Sequence, residues 1–330
     1  WGATMFPASV RGCCMQADML TIRTDGKFVD PNITAKGEQR AYVDLKQLST
    51  LWINTGTLCN LTCAACYIES SPRNDRLVYI TAAEVAAYLD EIERDGLGTE
   101  EIGFTGGEPF VNPDFMTMAE DALVRGFRVM ILTNAMRPMM KCADGLLDLQ
   151  VRYPERLTLR VSVDHYTKLR HQMERGARSW DPMIKGLRWL AEHRFTVHLA
   201  GRTYWNEDAA KLREGYRAFI ADLGLKVDAE DPLQMVLFPE MDEKAEVPEI
   251  TPACWDILDV DPAGVMCASS RMVVKRKGAD KPAVIACTLL PYDTQFEMGE
   301  TLAQAAGAVK LNHPHCAKFC VLGGGSCSKG

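Results

Sequence analysis

Leu51-Trp-Ile-Asn54, a short apolar run, is followed after four residues by Cys59-Asn-Leu-Thr-Cys63-Ala-Ala-Cys66-Tyr67. The apolar run predicts a buried strand, and the second segment predicts a loop at its carboxyl end, where α/β barrels carry their chemistry. Three thiolates can hold a four-iron cluster and leave one iron without a protein ligand. A small molecule could therefore bind at that iron.

A regular alternation of predicted strands and helices surrounds this segment. Between about residues 50 and 240, strand-like runs alternate with helix-like stretches, which predicts a parallel sheet with crossover helices. Helix starts are predicted at Thr81, which forms a capping box with Glu84, at the pairs Asn112-Pro113 and Asp181-Pro182, and at Asn206. The six predicted strands are 51–54, 101–105, 128–133, 157–164, 196–201 and 233–238. Six such units favour an α/β fold with a partial (β/α)6 TIM barrel over a complete eightfold barrel.

Three parts of the chain are predicted: a capping segment (1–50), the partial barrel (51–240) and a small cysteine-rich domain (241–330). An Asp25-Gly26 turn indicates a hairpin in the first part. In the last part, a hairpin is predicted to pair 272–275 with 283–287 across a turn containing Gly278. A region of this size buries little apolar surface, so a metal is a natural source of its stability.

Composition narrows the class of protein. With 330 residues, of which 47% are hydrophobic, the chain can bury a sizeable core. A net charge of -7 without a lysine or arginine run argues against a nucleic-acid partner. No apolar run approaches the roughly 18 residues that cross a bilayer, so we expect a cytoplasmic protein without a membrane partner. Twelve cysteines in that compartment indicate metal ligation or catalysis before disulfides.

The C-x3-C-x2-C spacing of Cys59, Cys63 and Cys66 resembles the signature of the radical S-adenosylmethionine (SAM) superfamily. The resemblance implies a [4Fe-4S] cluster on these cysteines whose open iron binds SAM. It also implies cleavage of SAM to a 5'-deoxyadenosyl radical that abstracts hydrogen from a substrate, and a reductant such as flavodoxin or ferredoxin. Ala65 departs from the family, where an aromatic residue or histidine is common, although Tyr67 is an adjacent aromatic. A structural zinc site with a fourth ligand from elsewhere is the alternative.

Other predicted strand ends carry residues similar to the SAM contacts of this family. The segment after the second strand resembles the GGE motif, whose glycines allow close approach of backbone to a ligand and whose carboxylate can accept hydrogen bonds from the SAM ammonium. Further polar residues follow strands three and four. The predicted SAM-binding residues are Gly106, Gly107, Glu108, Asn134, Ser162 and Arg175.

Four more polar residues follow predicted strands four and five, where a substrate would meet the site. They are Asp164, His165, Tyr166 and Arg202. In the functional interpretation, these residues act as a proton acceptor, as a radical relay or as the partner of a substrate carboxylate. A network of mutually satisfied polar groups is the alternative.

The C-terminal cysteines resemble the ligands of a twitch domain, the shortened SPASM domain of several radical SAM enzymes. Four soft ligands suffice for an auxiliary [4Fe-4S] cluster. Three residues rather than two separate Cys316 and Cys320, which departs from a full SPASM domain. Cys254 or Cys327 could replace one of Cys267, Cys287, Cys316 and Cys320. A four-thiolate zinc site is the alternative. The predicted ligands are Cys267, Cys287, Cys316, Cys320 and Cys327.

The resulting hypothesis is a radical SAM enzyme in which the auxiliary cluster assists the oxidation of a small molecule. The segment before the barrel looks short for the peptide-recognition domain of maturases, which favours that substrate class over a ribosomally made peptide. A non-catalytic iron–sulfur or zinc-binding protein is the alternative from another class. The vicinal pair Cys13-Cys14 and the helical Cys142 are interpreted as structural, with a thiophilic ligand as the other interpretation of the pair.

Overall fold

The computed structural model describes residues 26–203, 205–239 and 246–323. Its strands are β1 (Tyr42–Val43), β2 (Thr50–Asn54), β3 (Glu101–Thr105), β4 (Arg128–Thr133), β5 (Leu157–Ser162), β6 (Thr196–Arg202), β7 (Met235–Phe238), β8 (Ser270–Val274), β9 (Ala283–Ile285), β10 (Glu297–Gly299) and β11 (Val309–Lys310). Its helices are α1 (Ala82–Asp95), α2 (Phe115–Val124), α3 (Arg137–Lys141), α4 (Ala143–Arg152), α5 (Lys168–Arg175), α6 (Trp180–Glu192), α7 (Ala209–Asp222) and α8 (Ala253–Leu258). A π-helical turn spans Cys316–Val321. The predictions for Asp25, Cys13, Cys14 and Cys327 lie outside the described residues.

Nine strands form one sheet in the order β10-β9-β8-β2-β3-β4-β5-β6-β7. The six strands from β2 to β7 are parallel neighbours in chain order, and helices connect them. Right-handed crossovers of this kind keep the helices on one face of the sheet. The predicted α/β fold with a mostly parallel sheet is therefore confirmed, and the carboxyl ends of six strands meet along one edge.

Strand positions follow the apolar pattern closely. Strands β3 and β4 have the predicted bounds, because both faces of each strand are buried and the apolar run is continuous. Strand β7 begins two residues later than predicted. The cause is a turn in which the Asp231 carboxylate accepts a hydrogen bond from Leu233 N (2.8 Å) before the strand can start.

The helix starts were predicted less well. Thr81 and Glu84 do form the expected capping box of α1. The start predicted at Asn112-Pro113 is wrong, because α2 begins after Asp114. Asn112 is buried, and its amide donates to the carbonyl oxygens of Thr55 (2.9 Å) and Ile80 (3.0 Å). Its side chain thus joins two loops instead of capping the helix.

Two further helix starts were also wrong, each by two residues. Ser179, not Asp181, precedes α6, and its hydroxyl donates to the carbonyl of Gly176 (2.8 Å). Asp208, not Asn206, caps α7 by accepting a hydrogen bond from Ala210 N (2.9 Å). Several polar residues near each start were able to cap it, and tertiary contacts determine which one does.

The C-terminal part extends the same sheet. Strand β8 pairs in parallel with β2, with Thr50 opposite Ser270. The predicted hairpin is confirmed, because β8 and β9 are antiparallel with Val273 opposite Val284, and Gly278 in the connection has a φ of 82°. The chain beyond residue 246 therefore completes the sheet, whereas a domain boundary near residue 240 stays a prediction.

The two faces of the sheet are covered by different parts of the chain. Alternation along each strand sends Leu51 and Ile53 into a core with the helices. The same alternation sends Trp52 to the other face, where it packs in a second core that includes Met272 and Phe319. The inner face of the parallel strands is thus closed by the C-terminal part of the chain.

The segment that precedes β2 is bound to the C-terminal part of the chain. Strand β1 pairs with β11, and the buried Arg40 makes an ion pair of 2.5 Å with Glu249. In the described part of the chain, the helices are too short or too polar to cross a membrane.

Candidate active site

A cavity of about 130 Å³ opens at the carboxyl edge of the parallel strands. Residues from the loops after β2, β3, β4 and β5 and from the end of α5 form its wall. The structure thus brings together residues that are far apart in the sequence. Of the predicted cluster and SAM ligands, the wall contains Cys59, Cys63, Cys66, Gly106, Gly107, Asn134, Ser162 and Arg175.

The loop that carries the three cysteines is held in place by backbone and carboxylate contacts. Cys59 N donates to the carbonyl of Ser71 (3.1 Å), which closes the loop at its base. Glu174 at the end of α5 accepts from Ala64 N through its carbonyl (2.8 Å) and from Ala65 N through its carboxylate (3.2 Å). The shape of the loop therefore depends on a helix that lies more than 100 residues later in the chain.

The environment of the three thiols fits a metal cluster. Burial raises the pKa of the Cys59 thiol to about 12, and the nearby carboxylate of Glu108 contributes to the shift. Burial also raises the pKa of Cys63, while the guanidinium of Arg175 opposes that rise. Thiols of this kind stay protonated at neutral pH unless metal ions stabilise the thiolates. Cys59 and Cys63 are consequently suited to ligation and poorly suited to act as free nucleophiles.

Two glycines allow the turn after β3 to pack against the cysteine loop. Gly106 has a φ of 135°, and a Cβ on it would lie 2.5 Å from the carbonyl oxygen of Gly56. A Cβ on Gly107 would lie 2.2 Å from the carbonyl oxygen of Leu58. Both positions require glycine because the two loops touch through their backbones.

Glu108 lies behind the cavity wall. Its carboxylate is almost fully buried and accepts hydrogen bonds from the Thr133 hydroxyl (2.8 Å) and from Asn134 N (2.8 Å). Burial raises the pKa of this carboxyl to about 7. Asn134 in turn donates from its amide to Asn60 in the cysteine loop (2.9 Å). Glu108 therefore fixes the turn after β4, and its predicted contact with SAM stays a prediction.

Asp164 joins two arginines on the cavity wall. Arg175 donates to both carboxylate oxygens, at 2.6 and 3.2 Å. Arg202 lies 3.6 Å from the same carboxylate and donates to the carbonyl of Ala65 (3.4 Å). The arginines hold the pKa of Asp164 below its ordinary value, although burial opposes them. The carboxylate thus stays charged, and the pair of arginines is tied to the cysteine loop.

His165, Tyr166 and Glu207 form a separate network beside the cavity. His165 accepts a hydrogen bond from Thr167 N through Nδ1 (2.9 Å), so its Nε2 faces Glu207 as a donor (3.3 Å). The Tyr166 hydroxyl also donates to Glu207 (3.2 Å), and Arg170 makes an ion pair with it. These contacts agree with the alternative interpretation of the two residues, a network of polar groups that satisfy one another's hydrogen bonds.

Several residues on the cavity wall were not predicted from the sequence, and four of them matter for its shape. They are Trp52 on β2, Arg160 on β5, Phe238 at the end of β7 and Leu289 after β9. Arg160 had a detectable signal, because it alternates with Ser162 and Asp164 and so shares their face of the strand. The other three are apolar residues whose position depends on how the C-terminal part folds back.

The C-terminal cysteines come together at a second, smaller cavity. Its wall contains Cys267, Cys287, Cys316 and Cys320 together with Leu289. Burial raises the pKa of Cys316, and the nearby Cys287 and Cys267 add to that rise. Cys254 lies instead in α8, where its sulfur contacts Thr251. Of the candidate C-terminal cysteines in the described chain, the four predicted first are therefore the ones that share a cavity.

The two cavities are neighbours. Leu289 lines both of them. Phe238 on the first cavity stacks on Phe319, which lies between Cys316 and Cys320, with ring centroids 5.3 Å apart and planes within 7°. Within the described ranges, no three His, Cys, Asp or Glu side chains are grouped closely enough to hold a single metal ion.

Residues 53–211 match the model of the Radical SAM superfamily. The chain carries a radical SAM domain. This match covers β2 to the start of α7 and includes Cys59, Cys63 and Cys66 as well as the Gly106-Gly107 turn. The resemblance inferred from the cysteine spacing is thereby confirmed for the domain.

Among curated proteins, the chain is similar to a bacteriocin biosynthesis protein and to a maturase. The antilisterial bacteriocin subtilosin biosynthesis protein AlbA of Bacillus subtilis is 30% identical over 169 residues, which are 49% of this chain and 36% of AlbA. The mycofactocin maturase MftC of Mycobacterium tuberculosis is 29% identical over 133 residues, 40% of this chain and 32% of MftC. The chain therefore spans about a third of the length of these relatives.

The fold is similar to that of a solved structure with bound S-adenosylmethionine. SuiB of Streptococcus suis bound to S-adenosylmethionine superimposes with a TM-score of 0.56 at 12% identity and covers 76% of this chain and 63% of SuiB. At this identity the similarity concerns the fold alone.

Proposed function

We propose that this protein is a radical SAM enzyme that binds a [4Fe-4S] cluster through Cys59, Cys63 and Cys66. The observation that carries the proposal is the convergence of these cysteines and the Asp164–Arg175 pair on one cavity at the carboxyl edge of the parallel strands. When bound, the cluster supplies the electron that splits SAM into methionine and a 5'-deoxyadenosyl radical. A substrate in the cavity would give up a hydrogen atom to that radical.

The protein's own residues would bind and orient SAM. Gly106 and Gly107 let the turn after β3 pack against the cysteine loop, and backbone groups of this turn would lie beside the methionine part of SAM. Arg175 would offer a positive charge to the SAM carboxylate, and Asp164 would fix the orientation of its guanidinium. The apolar side chains of Leu132, Phe238 and Leu289 on the wall would keep water away from a reactive radical.

The C-terminal cysteines are proposed to hold a second, auxiliary [4Fe-4S] cluster. Four cysteines on one buried cavity support this assignment, and the shared Leu289 supports exchange of an electron with a substrate in the neighbouring cavity. The four proposed ligands are Cys267, Cys287, Cys316 and Cys320. Cys327 stays a prediction, as does a reductant such as flavodoxin or ferredoxin.

A peptide is the substrate class that the names of AlbA and MftC support, in contrast to the small molecule expected from the sequence. AlbA is named for bacteriocin biosynthesis and MftC as a maturase. SuiB, which shares the fold, has been crystallised with its precursor peptide SuiA. We therefore propose that this chain acts on an amino-acid side chain of a peptide.

Anaerobic reconstitution with iron and sulfide, followed by reduction in the presence of SAM, tests the first cluster. The wild type is expected to release 5'-deoxyadenosine, and Cys59→Ala is expected to release none. Cys142→Ala removes a half-buried thiol in the connection between α3 and α4 and should behave as the wild type. Release of 5'-deoxyadenosine by Cys59→Ala at the wild-type rate would refute the proposal.

Iron content tests the auxiliary cluster separately. The wild type should bind about eight irons per chain, and Cys316→Ala should bind about four. Because the SAM cavity does not include Cys316, this variant should still release 5'-deoxyadenosine. About four irons in the wild type would show that the C-terminal cysteines hold no cubane.

A further inference from the structure

Arg271 on β8 carries a positive charge in the interior of the C-terminal part. Only 1% of the residue is exposed. Its guanidinium donates four hydrogen bonds, to the carbonyl oxygens of Cys267 (2.6 Å), Ser270 (2.8 Å), Ala305 (2.8 Å) and Gly307 (3.0 Å). Carbonyl oxygens accept these bonds but bring no negative charge. The charge of Arg271 is therefore solvated by the protein without being neutralised.

In the part of the chain that the structure describes, no carboxylate forms an ion pair with Arg271. Burial lowers the pKa of Arg271, and the ionisable group that opposes this shift is the thiol of Cys267. The influence is mutual, because Arg271 opposes the rise to about 11 that burial imposes on the pKa of Cys267. A buried charge without a counter-ion is costly and calls for an explanation.

A second buried arginine of this region shows how such a charge is usually balanced. Arg40 is completely buried, and it opposes the rise in the pKa of Cys316. Its guanidinium forms an ion pair with Glu249 at 2.5 Å. Arg40 is thus neutralised by the protein itself. The two arginines are equally buried, and they differ in whether a carboxylate accompanies them.

The cavity that contains the C-terminal cysteines does not neutralise charge either. Among the described residues of its wall, there is no lysine, arginine, aspartate or glutamate. The wall consists of apolar residues, the four cysteines and His315. A cluster held by four thiolates carries a net negative charge, which this wall would leave unbalanced. A site with excess negative charge and an arginine with excess positive charge therefore lie side by side and meet at Cys267.

From this arrangement we infer that Arg271 is the counter-ion of the proposed auxiliary cluster and raises its reduction potential. The inference rests on the proposed function and deepens the account of its second site. Arg271 does not line the cavity, so it acts on the cluster through its charge, from behind Cys267, and not as a ligand. Reduction makes the cluster more negative, so a fixed positive charge stabilises the reduced state more than the oxidised state.

A raised potential suits the role proposed for the auxiliary cluster. In that role, the substrate radical is oxidised by one electron, and the auxiliary cluster is reduced by the same electron. Arg271 favours this direction of flow because it stabilises the added negative charge. The cluster in turn supplies the negative charge that the buried guanidinium lacks, so each stabilises the other.

The test measures the reduction potential of the auxiliary cluster in the full, reconstituted chain. A titration with dithionite is followed by electron paramagnetic resonance, and the auxiliary signal is the one that remains in Cys59→Ala. Arg271→Met and Arg271→Gln remove the charge. At a fixed applied potential, each should lower the ratio of reduced to oxidised auxiliary cluster about tenfold or more, which is about 59 mV for one electron. Arg271→Lys keeps the charge and should keep the ratio within about threefold of the wild type.

Two controls separate this effect from a general disturbance. The cluster on the first three cysteines is the internal control, and its potential should not change in any Arg271 variant. Arg276→Met is the matched control, because it removes an arginine of the same part of the chain whose charge is balanced by Glu297 at 2.8 Å. It should change the ratio of reduced to oxidised auxiliary cluster by less than about threefold.

An unchanged auxiliary potential in Arg271→Met and Arg271→Gln overturns the inference, and so does an equal shift in Arg271→Lys. If the neutral variants lose about four irons, the iron content of Arg271→Lys decides. Retention of about eight irons by Arg271→Lys supports the role of the charge. Loss of the same irons from Arg271→Lys shows that the bonds to the carbonyls hold the site, and it overturns the inference.

Iron content of the wild type distinguishes the two levels of the proposal. About four irons per chain would refute the auxiliary cluster itself, and the role of Arg271 with it. About eight irons, together with a potential that does not respond to the charge of Arg271, would refute only the inference about this residue.

Discussion

Asp164 is the residue on which the geometry of the SAM cavity depends most. Asp164→Asn removes the charge that two largely buried arginines share, and Arg175 is then left without its counter-ion. Breaking a buried ion pair in this way costs about 3–5 kcal/mol. We expect a loss of stability of that size in urea unfolding and weaker binding of SAM. Asp181→Asn is the control, because its ion pair with Lys168 is exposed and should contribute less than about 1 kcal/mol.

His171 should make the protein sensitive to acid. It is completely buried on α5, and neither ring nitrogen has a hydrogen-bond partner among the described residues. Burial lowers its pKa from 6.5 to about 3. Between these values the unfolded chain binds a proton that the folded protein does not, so stability falls as the pH falls.

The expected slope from this residue is up to about 1.4 kcal/mol per pH unit between pH 6 and 4. His171→Phe should remove that part of the slope in urea unfolding at a series of pH values. His193→Gln, which removes an exposed histidine at the end of α6, is the control and should keep the wild-type slope. An unchanged slope in His171→Phe would contradict the assignment.

At the level of the elements, the contact between the cysteine loop and the turn after β3 decides whether the site can form. Gly107→Ala places a methyl group against the carbonyl of Leu58, so one loop must move. We expect a loss of about 1–3 kcal/mol in stability and a loss of iron from the first cluster. Gly278→Ala is a control at a glycine with a φ of 82°, where nothing lies within 4 Å of the new Cβ. It should cost about 1–2 kcal/mol and keep its iron.

The elements also show what the sequence can and cannot predict. Strands β3 and β4 were predicted with the right bounds because two-sided burial leaves a continuous apolar run. The start of α2 was wrong because Asn112 bonds to two loops that are remote in the sequence. For the same reason, the contact of Glu174 with the cysteine loop could not be predicted. Cysteine spacing is visible in the sequence, whereas the residues that hold a loop in shape are not.

For the whole molecule, the C-terminal part both covers the sheet and completes the site. It supplies β8, which pairs with the edge of β2, and Leu289, which lines both cavities. Arg271 holds this part together, because its buried guanidinium donates to the carbonyl oxygens of Ala305 (2.8 Å), Cys267 (2.6 Å) and Gly307 (3.0 Å). The sequence predicted this region as a separate domain because its contribution to the inner face of the sheet leaves no local pattern.

A truncated chain of residues 51–240 should therefore not fold stably, although it contains all six parallel strands. Without the C-terminal part, the edge of β2 is unpaired and the apolar inner face that includes Trp52 and Met130 is exposed to water. We expect no cooperative thermal unfolding and no release of 5'-deoxyadenosine from SAM after reconstitution. Adding residues 246–330 as a separate chain should restore part of both, because the pairing of β8 with β2 does not require a covalent connection. Cooperative unfolding and full SAM cleavage by the truncated chain alone would instead show that the parallel strands form an independent domain, with the boundary near residue 240.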